Sequence, residues 1–166
     1  MLFRSGVFPS KLKVSRTIPL HKSGDPTLLD NYRPISLLCT LSKILEKHIA
    51  NKLTNHLSDF NLLYEHQYGF QKNKSTVHNL LSLTNFISKE INEKNYVIGV
   101  FFDLKKAFDV VPHEILLNKL RYFGIHGTLL NWFGSYLESR QQITDINGNL
   151  SDILSIDIGV LQGSIL

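Results

Sequence analysis

Apolar residues recur at helical spacing in the stretch that covers residues 40–57. This pattern predicts an amphipathic helix whose apolar stripe packs on a core. The stripe consists of Leu41, Ile44, Leu45, Ile49, Leu53 and Leu57. The charged residues Lys43, Glu46, Lys47 and Lys52 lie off that stripe, so they are expected on its solvent-facing side.

A second helix is predicted over residues 75–94, with Ser75 or Thr76 as its N-cap. Its apolar face comprises Val77, Leu80, Leu81, Thr84, Ile87 and Ile91. The polar run at residues 92–95 ends it.

A third helix is predicted from Pro112 to Phe123, where Pro112 fits the first position and Gly124 the C-terminal cap. A fourth covers residues 127–137.

Strands are predicted where β-prone residues are bounded by turn signals. Residues 13–20 and 32–38 are expected to form two strands joined by the SGDP turn at residues 23–26. The pair Asn147–Gly148 suits the primed turns of hairpins and predicts a hairpin that continues to residue 158. Helices and strands that mix without strict alternation indicate an α+β fold.

The segment YVIGVFFDLKKAFD, residues 96–109, carries the most informative chemistry. Its apolar first half predicts a buried strand that ends at Asp103. A carboxylate in that position can point into the crevice where ligands of α/β sheets bind, and it can hold a metal ion. An aspartate that caps the next helix is the alternative for the isolated pattern.

Three other blocks accompany this segment in a fixed order: HKSGDPTLLDNYRPISLL, QYGFQKNKST and GVLQGSIL, at residues 21–38, 67–76 and 159–166. Together the four blocks resemble the reverse transcriptase domain of non-LTR (LINE-type, jockey-like) retrotransposons. The resemblance covers nearly the whole chain. It implies a right-hand polymerase architecture, with residues 1–95 as fingers and residues 96–166 as part of the palm. The implied activity is RNA-directed DNA synthesis, in which dNTPs are added to a DNA primer along an RNA template.

The resemblance also implies roles for individual residues in nucleotide addition. Asp103 matches the family's first metal-binding aspartate, and the backbone carbonyl of Leu104 matches the neighbouring ligand. Oxygen donors of this kind suit Mg²⁺. Lys22 and Arg33 resemble the residues that grip the triphosphate, although they would otherwise be surface charges.

Three further matches concern the sugar and the nucleic acid. Phe108 resembles the aromatic side chain that excludes a 2′-hydroxyl, with a plain core phenylalanine as the compatible alternative. Gln162 and Gly163 match the family's PQG motif near the nucleotide and the template–primer. The sequence has Leu161 in place of the proline, which is expected to loosen the turn because the rigid φ is lost.

The basic loop after Gly69 resembles a turn that contacts the template. Its cations are Lys72 and Lys74, and an exposed basic loop without this role is the alternative.

The [YF]xDD motif, which follows PQG in this family and supplies two more metal-binding aspartates, does not occur in these 166 residues. We therefore expect a partial domain, without thumb or endonuclease, that is inactive by itself. The family places the Asp103 strand beside that motif. For this reason Val97, Val100 and Phe102 are expected to be exposed.

Composition changes this picture little. A hydrophobic content of 43% fits a globular protein, and a net charge of +4 suits a polyanionic partner. The single cysteine, Cys39, excludes an internal disulfide, and no signal peptide or membrane span is evident, so a soluble intracellular protein is expected. The resemblance narrows this to the nucleus or a cytoplasmic ribonucleoprotein. The alternative function is a non-catalytic basic module that binds RNA or an RNA–DNA duplex.

Overall fold

The computed structural model of the protein describes residues 5–166, which divide into two compact units. The first unit contains residues 5–55 and 106–166, and the second contains His56–Lys105. These units do not coincide with the predicted division between residues 95 and 96, and the assignment of fingers and palm stays a prediction. Helices and one sheet are mixed along the chain, so the predicted α+β class is confirmed at this level.

The regular elements of the described residues follow the predicted order with one exception. The strands are β1 (Val14–His21), β2 (Tyr32–Leu37), β3 (Arg140–Ile146), β4 (Asn149–Leu150) and β5 (Leu154–Ile156). The helices are α1 (Thr40–Asp59), α2 (Thr76–Asn92), α3 (His113–Tyr122) and α4 (Gly127–Leu137). No helix in this described part of the chain is long and apolar enough to cross a membrane.

The sheet is built around β1, which has neighbours on both sides. β2 pairs with β1 in antiparallel register, with Arg16 opposite Leu37 and His21 opposite Tyr32. On its other side β1 runs parallel to β3. β3 in turn pairs with β4 and β5, both antiparallel. The sheet therefore joins the beginning of the described chain to its last quarter.

Local turn and cap predictions are confirmed at several positions. Asn147 and Gly148 have φ values of 53° and 89°, as a primed hairpin turn between β3 and β4 requires. Ser75 caps α2, and its side chain accepts a hydrogen bond from the backbone N–H of His78. Pro112 occupies the N-cap of α3, one position earlier than predicted, and Gly124 follows this helix with a φ of 85°.

The predicted apolar face of α1 is confirmed at Ile49, which is buried, and at Leu45 and Leu53, which pack against the core, but it is wrong at Leu41 and Ile44. Its buried residues are Ser42, Glu46 and Ile49, whereas Leu41 and Ile44 are 62% and 60% exposed. Glu46 can be buried because its carboxyl finds hydrogen-bond partners within the first unit, which offset the cost of removing it from water. Hydrophobic periodicity alone cannot reveal such partners.

The core of the first unit is an aromatic cluster formed by Phe8, Trp132 and Tyr136. The Phe8 ring meets both other rings edge-on, with centroid distances of 5.5 Å to Trp132 and 5.0 Å to Tyr136. Trp132 and Tyr136 stack at 5.3 Å. Ile49 of α1 and Leu120 of α3 are buried in the same cluster, so it connects three helices.

The strand predicted to end at Asp103 is the exception. Residues 96–104 have no strand conformation, and none of the described strands pairs with them. A strand needs a neighbour for its backbone N–H and C=O groups, so β-prone side chains alone do not create one. The expected exposure is confirmed, because Val97, Val100 and Phe102 are 36%, 69% and 91% exposed.

Phe8→Ala should lower the free energy of unfolding of the first unit by about 3–5 kcal/mol, because it removes a fully packed ring. Urea unfolding followed by fluorescence measures this directly, since Trp132 is the single tryptophan and lies in the same cluster. Phe101→Ala is the matched control, with a ring that is 86% exposed, and it should change stability by less than about 0.5 kcal/mol. Equal losses in both variants would contradict this description of the core.

Candidate functional site

Two of the predicted phosphate-binding residues lie at the base of the loop between β1 and β2. Lys22 follows directly after β1, and its backbone N–H donates to the Asn31 carbonyl at 2.8 Å. Arg33 lies in β2 opposite Leu20. Both cationic side chains are exposed, so they are accessible to an anion in solvent.

The loop between these cations is held by its own hydrogen bonds. Asp25 Oδ1 accepts hydrogen bonds from the backbone N–H of Thr27 at 2.8 Å and from its hydroxyl at 2.7 Å. These bonds lower the pKa of the exposed Asp25 carboxyl. Asn31 Nδ2 donates to the Asp25 carbonyl at 2.8 Å and closes the loop from its other end. The loop thus has a defined conformation although every side chain from Lys22 to Asp30 is exposed.

Gln162 and Gly163 lie against the same strand that carries Arg33. The backbone N–H of Ser36 in β2 donates to the Gln162 carbonyl at 2.8 Å. Gly163 has a φ of 115°, and a Cβ atom added there would lie 2.8 Å from the Ser36 carbonyl oxygen. Only glycine fits this close approach without displacing the turn. Ser36 and Arg33 are three residues apart, about 10 Å along the strand.

The segment that contains Phe108 is attached to the residues just before Gln162. The Val160 N–H donates to the Phe108 carbonyl at 2.7 Å, and the Gly159 N–H donates to the Val111 carbonyl at 2.9 Å. A Cβ atom at Gly159 would lie 2.7 Å from the Asp109 carbonyl oxygen, so the two segments are in direct backbone contact. Phe108 is 40% exposed.

An apolar cavity of about 370 Å³ lies beneath this junction in the first unit. Phe108 and Leu161 line it together with Leu116, Leu120 and Phe133 from α3 and α4. Leu161 is only 9% exposed, so the leucine that replaces the family's proline contributes to an apolar interior. Burial of the Leu161 side chain stabilises this turn, which opposes the loosening of the turn that is expected from the loss of the proline ring.

Sequence reasoning missed an ion pair between the Phe108 segment and the β1–β2 loop. Lys106 Nζ lies 2.9 Å from Asp30 Oδ1, and the hydrogen bond with this carboxylate raises the pKa of Lys106. Both side chains are more than half exposed, so the pair adds little stability. No local pattern indicates it, because the partners are 76 residues apart in sequence.

The first unit therefore contains all the predicted nucleotide-binding residues. Lys22 and Arg33 lie in or beside the β1–β2 hairpin. Phe108 and Gln162 lie on two segments that contact each other through the backbone, and the Gln162 segment also contacts β2 in this way. Gly163, predicted to contact the template–primer, lies in the same turn as Gln162.

The other predicted residues belong to the second unit. Asp103 and Leu104 lie in its irregular segment and are exposed, Leu104 by 77%. Lys72 is exposed, whereas Lys74 is half-buried. Lys74 Nζ donates to the Glu65 carbonyl and lies 5.2 Å from the centre of the Tyr68 ring. Lys72 is thus the more accessible cation of this loop.

The described side chains do not form a complete metal site. Among residues 5–166 there is no group of three or more His, Cys, Asp or Glu side chains that could hold a metal ion. Mg²⁺ prefers octahedral coordination by oxygen, and Asp103 brings a single carboxylate. No chemical step through a metal follows from these residues alone.

Comparisons with known proteins identify a matching family and similar proteins. A family model described as reverse transcriptase (RNA-dependent DNA polymerase) matches residues 20–166. The chain is 35% identical over 172 residues to a probable RNA-directed DNA polymerase from transposon BS of Drosophila melanogaster, and the match covers 99% of the chain. It is 36% identical over 162 residues to the RNA-directed DNA polymerase from mobile element jockey of the same species, covering 97% of the chain. In both comparisons the chain spans 18% of the relative's length.

Gly163→Val should displace the Gln162 turn from β2, because the new Cβ would collide with the Ser36 carbonyl. Amide hydrogen exchange at Ser36 is the measurement, and its rate should rise about tenfold or more as the bond to Gln162 is lost. Gly69→Val serves as the control, since a Cβ there would meet no atom within 4 Å. Unchanged exchange at Ser36 in Gly163→Val would contradict the close approach described above.

Proposed function

The chain belongs to the reverse transcriptase (RNA-dependent DNA polymerase) family, as a domain of the non-LTR retrotransposon type, and from this membership we propose that it serves RNA-directed DNA synthesis by a mobile element. The proposed substrates are an RNA template, a DNA primer and dNTPs. Residues 1–95 are proposed as fingers and residues 96–166 as part of the palm of a right-hand polymerase. The proposed location is the nucleus or a cytoplasmic ribonucleoprotein.

The observation that carries this proposal is the backbone junction in the first unit. Hydrogen bonds from Val160 to Phe108 and from Ser36 to Gln162 connect three separate motif segments. Such bonds fix the segments relative to one another more firmly than contacts between mobile surface side chains would. Three of the four motif blocks that resemble one family are thus also connected in space.

The proposed nucleotide contacts follow from the chemistry of each side chain. Arg33 can grip phosphate oxygens with two parallel N–H groups, whereas Lys22 acts as a compact point charge. Phe108 is proposed to lie under the sugar, where its bulk excludes a 2′-hydroxyl. Gln162 is proposed beside the nucleotide, and Gly163 beside the template–primer.

The remaining proposed contacts lie in the second unit. Lys72 and Lys74 are proposed to contact template phosphates, which would be independent of sequence. The Asp103 carboxylate and the Leu104 carbonyl are proposed as ligands of Mg²⁺. When bound, divalent ions in polymerases neutralise the charge that develops during phosphoryl transfer. What this chain supplies to that chemistry is one carboxylate and the positioning of the nucleotide.

A second candidate function is binding of RNA or an RNA–DNA duplex without catalysis. The exposed cations Lys22, Arg33 and Lys72 favour it, since phosphate contacts require no metal site. This candidate predicts binding that weakens steeply with salt and does not depend on Asp103.

Asp103→Asn should abolish primer extension when this chain replaces the matching segment of the Drosophila melanogaster jockey polymerase. The substitution nearly preserves shape but removes the negative charge of a metal ligand, so synthesis on an RNA template should fall by at least about 100-fold while folding is retained. Asp152→Asn, at another exposed aspartate, should leave the rate unchanged. Undiminished synthesis in Asp103→Asn would refute the proposed role, and duplex binding without synthesis in the unsubstituted chimera would favour the second candidate.

Phe108→Val in the same chimera should raise incorporation of ribonucleotides relative to deoxyribonucleotides. The smaller side chain opens room for the 2′-hydroxyl, and a steric change of this size alters selectivity by about 10-fold or more. Competition between the two nucleotides in primer extension measures the ratio. Phe123→Val is the control at a phenylalanine outside the proposed site. Unchanged selectivity in an active Phe108→Val chimera would leave Phe108 with a packing role only.

A further inference from the structure

Glu46 of α1 is a buried acidic residue to which the proposed function assigns no task. Its side chain is completely buried. Oε1 accepts hydrogen bonds from the Ser42 hydroxyl at 2.9 Å and the Tyr136 hydroxyl at 3.1 Å. Oε2 accepts a hydrogen bond from the backbone N–H of Ile165 at 2.9 Å. The carboxyl therefore connects α1, α4 and the turn that carries Gln162.

The polar side chains of Arg140 and Tyr136 lie near this carboxyl. The Arg140 guanidinium lies 3.9 Å from the centre of the Tyr136 ring, and its charge interacts favourably with Glu46. Burial raises the pKa of Tyr136 and lowers that of Arg140. Since a buried carboxyl without partners would be strongly unfavourable, its position is set by the three donors that surround it.

The turn at residues 161–166 is closed internally by Ser164. The Ser164 hydroxyl shares its one proton between the Leu161 carbonyl at 3.0 Å and the Leu166 carbonyl at 2.6 Å. These bonds hold the shape of the turn, and the Ser164 side chain also forms a hydrogen bond with the side chain of Tyr136 in α4. The other polar attachments of the turn are the bond from Ser36 to the Gln162 carbonyl and the bond from Ile165 to Glu46.

We propose that Glu46 is a positioning residue that fixes the orientation of the Gln162–Gly163 turn. The Ser36–Gln162 and Ile165–Glu46 bonds hold the backbone of the turn at two points three residues apart, so losing one of them leaves the backbone beside β2 less firmly oriented. Without Glu46 the Gln162 backbone, and with it the direction of the Gln162 side chain, is held less firmly beside β2. This inference rests on the proposed function, because it assumes that Gln162 faces a nucleotide.

The test uses the 166-residue chain and variants at both ends of the bond. Glu46→Gln keeps the shape of the side chain but cannot accept from all three donors. Ile165→Pro removes the backbone N–H that donates to Glu46 and also restricts φ at residue 165, whereas Ile165→Ala is its control because it keeps that N–H. Ile165 is 40% exposed, so neither change at this position disturbs the buried core.

We expect amide exchange at Ser36 to accelerate about tenfold or more in Glu46→Gln and Ile165→Pro, because the turn loses an attachment. Exchange in Ile165→Ala should match that of the wild type. The double variant Glu46→Gln/Ile165→Pro should be no faster than either single variant, since both remove one interaction. A merely structural Glu46 would instead raise exchange throughout the first unit, with additive effects. That result would overturn the proposal, and so would unchanged exchange at Ser36 in either variant. If Glu46→Gln does not fold, the comparison of Ile165→Pro with Ile165→Ala decides.

A second measurement separates this inference from the proposed function. Titration of a dNTP against each variant with an RNA–DNA primer–template duplex should show about tenfold weaker binding in Glu46→Gln and Ile165→Pro than in Ile165→Ala. Equal affinity in all variants would overturn the positioning role. If the wild-type chain binds no dNTP at all, the proposed nucleotide site fails, while the exchange data still decide whether Glu46 orients the turn.

Discussion

The edge-on packing of Phe8 against Trp132 and Tyr136 is the interaction on which the first unit depends. It fixes α4 against the residues that precede β1. Once α4 is fixed, the Tyr136 hydroxyl reaches Glu46 of α1, and Arg140, at the start of β3, stacks on the Tyr136 ring. Edge-on aromatic contacts have a preferred geometry in addition to their buried area, so this core sets orientation as well as stability.

The elements that the sequence predicts well are those whose signals are local. The caps at Ser75 and Gly124 and the turn at Asn147–Gly148 depend on the conformational preferences of one or two residues, and the structure places them where they were predicted. The strand ending at Asp103 depends on a neighbouring strand, and the described residues provide none. The face of α1 depends on partners for Glu46 that lie about 90 and 119 residues away. Periodicity contains no information about such distant partners.

In the candidate site, too, the sequence predicts the local features but not the contacts between distant segments. The residue types and order of the motifs are sufficient to identify the family. They also predict Lys22, Arg33, Phe108 and Gln162 as nucleotide-binding residues. The sequence does not indicate how these residues are connected. The bond from Ser36 to Gln162, the contact between Gly159 and Asp109 and the ion pair of Lys106 with Asp30 all join segments distant in sequence. Each arises from tertiary packing rather than from local propensity.

The parallel pairing of β1 with β3 also has a consequence for the order in which the protein can fold during synthesis. β1 spans Val14–His21, and its parallel partner spans Arg140–Ile146, so about 120 residues separate the two strands. A ribosome that adds about 5–20 residues per second needs several seconds or more to cover this interval. Throughout that time β1 can pair with β2 but has one open edge. The nascent chain therefore exposes a strand edge that must be kept from other chains until β3 emerges.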